Sequence, residues 1–482
     1  MTLSRRLTAG ILACALALQP LCADELPELG DAASNDLSPQ MEKQIGRQIM
    51  NDIRTSEPAY LDDSDVEGYL NTLGSKLVAA SADPGLGFTF FAIADPSINA
   101  FALPGGYIGV HSGLILTAQT ESELAGVMAH EIAHVTQRHI ARQVFQSRHL
   151  SMASMLAMGL ALLAARSNSQ VAGGTIAATQ AGLASAQLAF SRNFEREADR
   201  LGFDTLRKAG FDVRGMAVFF GSLQKATRLY ENNATAYLRT HPLTGERLTD
   251  MQNREMDVQY RQVPDSAEFQ LVRAKLRAMQ GTPVEAVNDF KRLLDERKFT
   301  AEEATRYGLA YALFRARDWA AAEEQIQKAR GVKAAEPMIE RLYADIRLAR
   351  GDTAGGLAVY RQAIQRSPRH QGLLDGYAQA LLAARRFDEA LRFADAQLQW
   401  QPDSTRYRRV RAAAHAGLGH EAQQHQELAD VFALQGQTQA AIEQLELAQK
   451  AGDANFYVMS AIDARLRELK RQRLDELKER RD

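Results

Sequence analysis

The chain has 482 residues, too many for one hydrophobic core, so two or three domains are expected. With 57 Lys and Arg against 59 Asp and Glu, the net charge is −2 and the pI near 6.6. That balance excludes the basic excess of a nucleic-acid-binding protein and gives no polybasic membrane anchor.

Residues 1–23 read as an export signal: Arg5 and Arg6, an apolar run from Leu7 to Leu18, then Ala23 before Asp24 and Glu25. The run is about a dozen residues long, against the roughly 20 that a membrane-spanning helix needs. The two cysteines, Cys14 and Cys22, both lie in this segment, so cleavage after Ala23 leaves no disulfide to support the fold. Residues 24–40 are a polar, flexible lead.

Ser38 followed by Pro39 opens a helix, and a second helix is expected over Ser64 to Ala80, closed by the turn Asp83-Pro84-Gly85. Phe88–Ile93, Ala100–Leu103 and Tyr107–His111 read as three short strands, the last two joined at Pro104-Gly105-Gly106. From Glu121 onward the pattern is helical. Leu150–Ala165 carries no charge and is read as a buried or partner-facing helix, too short to span a membrane. The Gly-, Ala- and Ser-rich residues 166–182 are expected to be a mobile segment near the active site.

The C-terminal half repeats itself. Ala310, Ala344, Ala378 and Ala412 stand 34 residues apart, followed twelve residues later by Ala322, Gly356, Ala390 and, out of pattern, Gln424. Pro368 and Pro402 keep the same spacing, and Ala274 with Ala286 and Ala429 with Ala441 keep the internal one. Small residues at two fixed places let antiparallel helices cross closely, and the 34-residue period resembles the tetratricopeptide repeat.

His130-Glu131-Ile132-Ala133-His134 matches H-E-x-x-H. On a helix, residues i and i+4 share a face, so both imidazoles reach one zinc ion while Glu131 is free to act as the general base. The third ligand is sought in Ser191-Arg-Asn-Phe-Glu195-Arg-Glu-Ala-Asp199: Glu195 on the metal and Asp199, one turn on, behind a ligand histidine. Glu197 is read as solvent-exposed, His139 as off register and solvated, and His111 as structural. The Tyr107–Val110 strand (Tyr107, Ile108, Gly109, Val110) is read as a pairing site for an extended substrate. His241, before Pro242, is either a capping or surface histidine or a fourth ligand that plugs the zinc until a client displaces it.

His-Glu-Ile-Ala-His followed by Ser-Arg-x-x-Glu-x-x-x-Asp resembles the M48 family of zinc peptidases. The resemblance covers residues 40 to 260 and implies a gluzincin-type fold. The overall expectation is mainly α: a zinc metalloprotease domain with a small β-sheet over 41–260, then an α-helical tetratricopeptide-repeat solenoid over 265–482. The resemblance further implies one zinc ion per chain and a Gram-negative periplasmic location. Its partners would be unfolded or partly assembled outer-membrane proteins and the β-barrel assembly machinery. Peripheral membrane association is admitted; nucleic acid is not. Two roles compete: a quality-control endopeptidase whose repeats hold clients, and an assembly chaperone or scaffold with secondary peptidase activity.

Overall fold

The computed structural model describes residues 37–147, 190–229, 235–259, 261–331 and 336–479. The export signal, most of the polar lead, Leu150–Ala165 and residues 166–182 lie outside the described residues. Among those described, no helix is long and apolar enough to cross a membrane.

Helix α1 (Pro39–Ser56) starts where the sequence predicts: the Ser38 side chain accepts the Met41 N–H, and Pro39 occupies the first turn. Helix α2 (Ser64–Val78) is capped by Asp63, which accepts from the N–H groups of Asp65 and Val66. Strands β1 (Thr89–Ile93), β2 (Ala100–Leu103) and β3 (Tyr107–His111) form one sheet in the order β1-β3-β2. β3 pairs parallel to β1 and antiparallel to β2. Alternation decides what each face covers. Phe91, Ile93, Phe101 and Leu103 pack on α1 through Ile45, Ile49 and Ile53. Phe90, Ala92, Ala100, Ala102, Ile108 and Val110 join the larger core on the opposite face. Gly105 and Gly106 turn β2 into β3 at φ 76° and 87°, where a Cβ at Gly106 would sit 2.3 Å from the Gly87 carbonyl oxygen.

Helix α3 (Ser112–Thr117) leads into α4 (Glu121–Thr136), which lies against this sheet, and α5 (His139–Ser147) follows at once. Helices α6 (Arg192–Lys208), α7 (Arg214–Leu229), α8 (Thr235–Thr240) and α9 (Gly245–Met256) complete the N-terminal half. Twelve further helices make the repeats: α10 (Ala267–Met279), α11 (Pro283–Asp295), α12 (Glu302–Arg315), α13 (Trp319–Arg330), α14 (Pro337–Ala349), α15 (Thr353–Arg366), α16 (Gln371–Ala383), α17 (Phe387–Trp400), α18 (Thr405–Leu418), α19 (Glu421–Leu434), α20 (Thr438–Lys450) and α21 (Phe456–Glu479). Ala310, Ala344, Ala378 and Ala412 are buried on the first helix of successive pairs, and Ala322, Gly356 and Ala390 on the second. The reason is contact distance: a Cβ on Gly356 would stand 3.0 Å from the Ala344 carbonyl oxygen.

The repeats fold back onto the N-terminal half through buried charge. Lys275 Nζ lies 2.6 Å from Asp65 and 2.7 Å from Asp63, and Arg341 reaches Asp65 at 3.0 Å. Arg406 binds Asp62, Glu67 and Asp375, and Asp375 accepts from Ser64. The acidic start of α2 is thereby held by three repeat cations. Glu121 adds a tether at the start of α4, accepting from Tyr69 and from the Ser266 hydroxyl.

Burial pushes the Asp65 carboxyl up, but Arg341 and Lys275 outweigh it and hold its pKa below the usual range. Asp65→Ala is expected to destabilise the protein by about 3–5 kcal/mol, because two buried cations lose a partner. The readout is the denaturant midpoint of the full chain; a loss below about 1 kcal/mol would show that Asp63 suffices. With the folded pKa depressed, this stabilisation is complete above the unfolded pKa of about 3.9 and disappears as the pH falls through the folded value.

Candidate metal centre

Helix α4 is capped by Thr120, whose side chain accepts the Glu123 N–H, and it is buried along its length. His130 and His134 sit one turn apart and both ring Nε2 atoms point the same way, 3.0 Å from each other. Helix α6 crosses α4 at Gly202, where a Cβ would stand 3.0 Å from the His130 backbone nitrogen. That close approach brings the first turns of α6 to the histidines. Glu195 lies 3.5 Å from His130 Nε2 and 3.4 Å from His134 Nε2. The short helix α8 ends at His241, whose N–H donates to the Tyr237 carbonyl, and its Nδ1 lies 3.4 Å from His130 Nε2 and 3.0 Å from Glu195.

These four residues each offer a donor atom within 4.8 Å of the others, and all are buried. Ligands on a tetrahedral zinc with bonds of about 2.0–2.1 Å stand roughly 3.3 Å apart, so the donor set fits that ion. Its electrostatics call for a positive charge at the centre. Burial works to lower the His130 pKa, but Asp199 and Glu195 outweigh it and raise it to about 9. Burial drives His134 well below its ordinary value.

Glu131 points along the other side of the first histidine. Neither of its oxygens has a hydrogen-bond partner, and His241 Nε2 lies 3.5 Å away. Burial raises its pKa, opposed by His241 and His130. Asp199 Oδ1 stands 3.0 Å from His130 Nδ1, behind that histidine as the spacing anticipated.

Arg247, on the first turn of α9, was not foreseen. It is buried, with Nη1 2.6 Å from Glu195 and Nε 2.6 Å from Asp199. Burial raises the Asp199 carboxyl, and hydrogen bonds from Arg247 and His130 overcome this and lower it. Its local signal is only the Thr244 cap three residues earlier, which says nothing about a partner 48 residues upstream.

Three expectations need correction. His139 is not solvated: it is fully buried, stacked on Phe194 with ring centroids 4.5 Å apart. Glu197 is only partly exposed, and it pairs with His139 at 3.1 Å and Arg142 at 2.9 Å. Tyr107, Ile108, Gly109 and Val110 form the middle strand, with both sides of the backbone already paired, so β3 has no edge to offer a substrate. Among the described residues, the edge strand beside α4 is β2, itself buried. His111 N–H donates to the Asn99 carbonyl, so the ladder's alternation turns the N–H and C=O groups of Ala100 and Ala102 away from β3. On the far side of the sheet, the Asn71 amide satisfies both backbone groups of Phe90. His111 itself is structural, 2.9 Å from Ser97 and 3.7 Å from Asp95. His241 is no surface residue: it is 1% exposed and stacked on Tyr237 at 4.6 Å.

Residues 64–255 match the model of peptidase family M48, and residues 347–414 a tetratricopeptide-repeat model. A relative from Vibrio cholerae is 33% identical over 451 residues, spanning 93% of each chain. The chain belongs to peptidase family M48. An M48 relative from Escherichia coli strain K12, the beta-barrel assembly-enhancing protease, is 31% identical over 453 residues, covering 93% of this chain and 92% of that one. A mitochondrial metalloendopeptidase of Schizosaccharomyces pombe is 28% identical over 220 residues, covering 44% of this chain and 61% of that one. The protein is a metallopeptidase of the M48 type with tetratricopeptide-like repeats behind it.

Arg247→Met removes the cation that two buried carboxylates share. It is expected to cost the metal-free protein about 3 kcal/mol of stability, part of which added metal restores by binding Glu195. Thermal melts with and without metal check this; an unchanged metal-free melt would mean the carboxylates find another partner.

Proposed function

We propose that the protein is a periplasmic zinc endopeptidase acting on outer-membrane β-barrel proteins that are misfolded or stalled in assembly. The observation that carries the chemistry is the buried four-donor cluster beside the unpartnered Glu131 carboxylate. His130, His134 and Glu195 would hold the zinc, and His241 a fourth position. Zinc there supplies Lewis-acid polarisation of the scissile carbonyl and lowers the pKa of water toward about 7. Glu131 accepts the proton of the attacking water and passes it to the leaving amine. Asp199 holds the His130 ring by its far nitrogen, and Arg247 keeps both carboxylates ionised in a dry site. The outward backbone groups of Ala100 and Ala102 accept the substrate as an added strand, a mode that tolerates many sequences. The apolar N-terminal run after Arg5 and Arg6 supports export, and the relatives named for β-barrel assembly support the client class.

With His130, Glu131, His134, Glu195 and His241 all buried, the centre is closed to a peptide. His241 is then a plug as well as a ligand, and a client opens the site by displacing it. His241→Ala is expected to raise basal casein cleavage several-fold; equal or lower activity would remove the plug from the scheme.

The closed centre also favours a second reading, in which the repeats serve as an assembly scaffold and cleavage is secondary. Glu131→Gln separates the two. It should lower kcat by at least about 10³-fold while one zinc per chain remains by metal analysis. Full maturation of outer-membrane proteins in cells carrying this variant would favour the scaffold.

A further inference from the structure

The two imidazoles of α4 are supported differently from behind. His130 has the Asp199 carboxylate at 3.0 Å. His134 has no carboxylate at its Nδ1; that atom lies 2.9 Å from Nδ1 of another histidine, His139. His139 Nε2 in turn lies 3.1 Å from Glu197 Oε2, the same oxygen that Arg142 Nη1 meets at 2.9 Å.

We propose that His139 and Glu197 are positioning residues for the metal centre, a hydrogen-bonded relay that fixes the ring and tautomer of His134. The proposal rests on the reading of His134 as a ligand through Nε2. Proton counting then sets every step. With Nε2 given to the metal, His134 carries its proton on Nδ1 and donates it to His139 Nδ1. His139 therefore carries its proton on Nε2 and donates it to the Glu197 carboxylate. The chain closes with no clash of donors, ending at a carboxylate whose side chain is 28% exposed.

The backbone is shaped for this arrangement. Helix α4 ends at Gln137, and Arg138 takes a left-handed conformation, φ 50°, before α5 begins at His139. A side chain at positive φ is strained, and Arg138 is held there by its guanidinium, which donates to the Leu37 carbonyl and to Glu42. The reversal returns His139 beneath His134. There its ring is fully buried and nearly parallel to Phe194, at 15°. Phe194 and Glu197 are three apart on α6 and share the face that meets α5. One helix face of α6 thus supplies Glu195 to the metal, and the adjacent face supplies Phe194, on which His139 stacks, and the carboxylate that ends the relay. A hydrogen bond to the far nitrogen of a ligand imidazole orients the ring and raises its basicity, and its loss costs about 10–100-fold in metal affinity.

The test uses the full chain and measures zinc affinity by competition with a chelator. His139→Phe keeps the stacking on Phe194 but removes the acceptor. It should weaken zinc binding by about 10–100-fold, with kcat reduced and KM unchanged. His139→Asn, whose amide oxygen can accept from His134, should recover part of the loss, which a packing role alone would not produce. Glu197→Gln, at a partly exposed position that leaves folding intact, should weaken zinc in the same direction by a smaller factor. Nitrogen NMR of zinc-loaded wild type should show His134 protonated at Nδ1. If wild type binds no zinc, the metal reading itself falls. If wild type binds zinc and both His139→Phe and Glu197→Gln bind it equally well, the relay is overturned while the metal centre stands.

Discussion

The structure turns on concentrating charge in a place without water. His130, Glu131, His134, Glu195, Asp199 and Arg247 are each 3% exposed or less, and ions so buried persist only when paired or shared. Arg247 answers two of the carboxylates, and the donor set around His130 is suited to a cation that would answer the third. Everything else in the N-terminal half serves this convergence. Gly202 lets α6 reach α4, the small side chains of Ala100 and Ala102 let the sheet reach α4 from the other side, and α8 closes the gap with His241.

Much of this is legible in the sequence. His130 and His134 follow from the H-E-x-x-H motif placed on a helix, and Glu195 with Asp199 from their i, i+4 spacing downstream of that motif. The repeat was legible because alanine at a fixed period is a statement about helix crossing, and the buried Ala310, Ala344 and Ala378 bear it out. The three strands were legible from β-branched and aromatic runs bounded by turns, and they fall within a residue of the expected spans.

What escaped were relations that no local pattern encodes. Strand order is one: the strand spans carry no mark of their order, and the parallel pairing of β1 with β3 puts the expected substrate strand in the centre. His139 and Glu197 are another. A helical wheel through Glu195 and Asp199 turns Glu197 aside, and nothing in the sequence announces that Arg138 reverses the chain and carries α5 back to that side. Arg247 is a third, since a lone arginine after a short cap carries no mark of a partner so far upstream. The docking of the repeats on α2 is the last: nothing local to Asp62, Asp63, Asp65 and Glu67 marks Lys275, Arg341 and Arg406 as their partners, and Asp65 is buried among them.

Phe190 gives the closed site its character. Its ring lies 4.0 Å from that of His134 at 24°, and its backbone N–H donates to the Thr240 carbonyl next to His241. Phe190 and the end of α8 are therefore joined by a backbone bond beside the same imidazole. Moving the end of α8 away from Phe190 would break that bond. Displacing His241 together with the end of α8 would therefore also disturb the ring that covers His134.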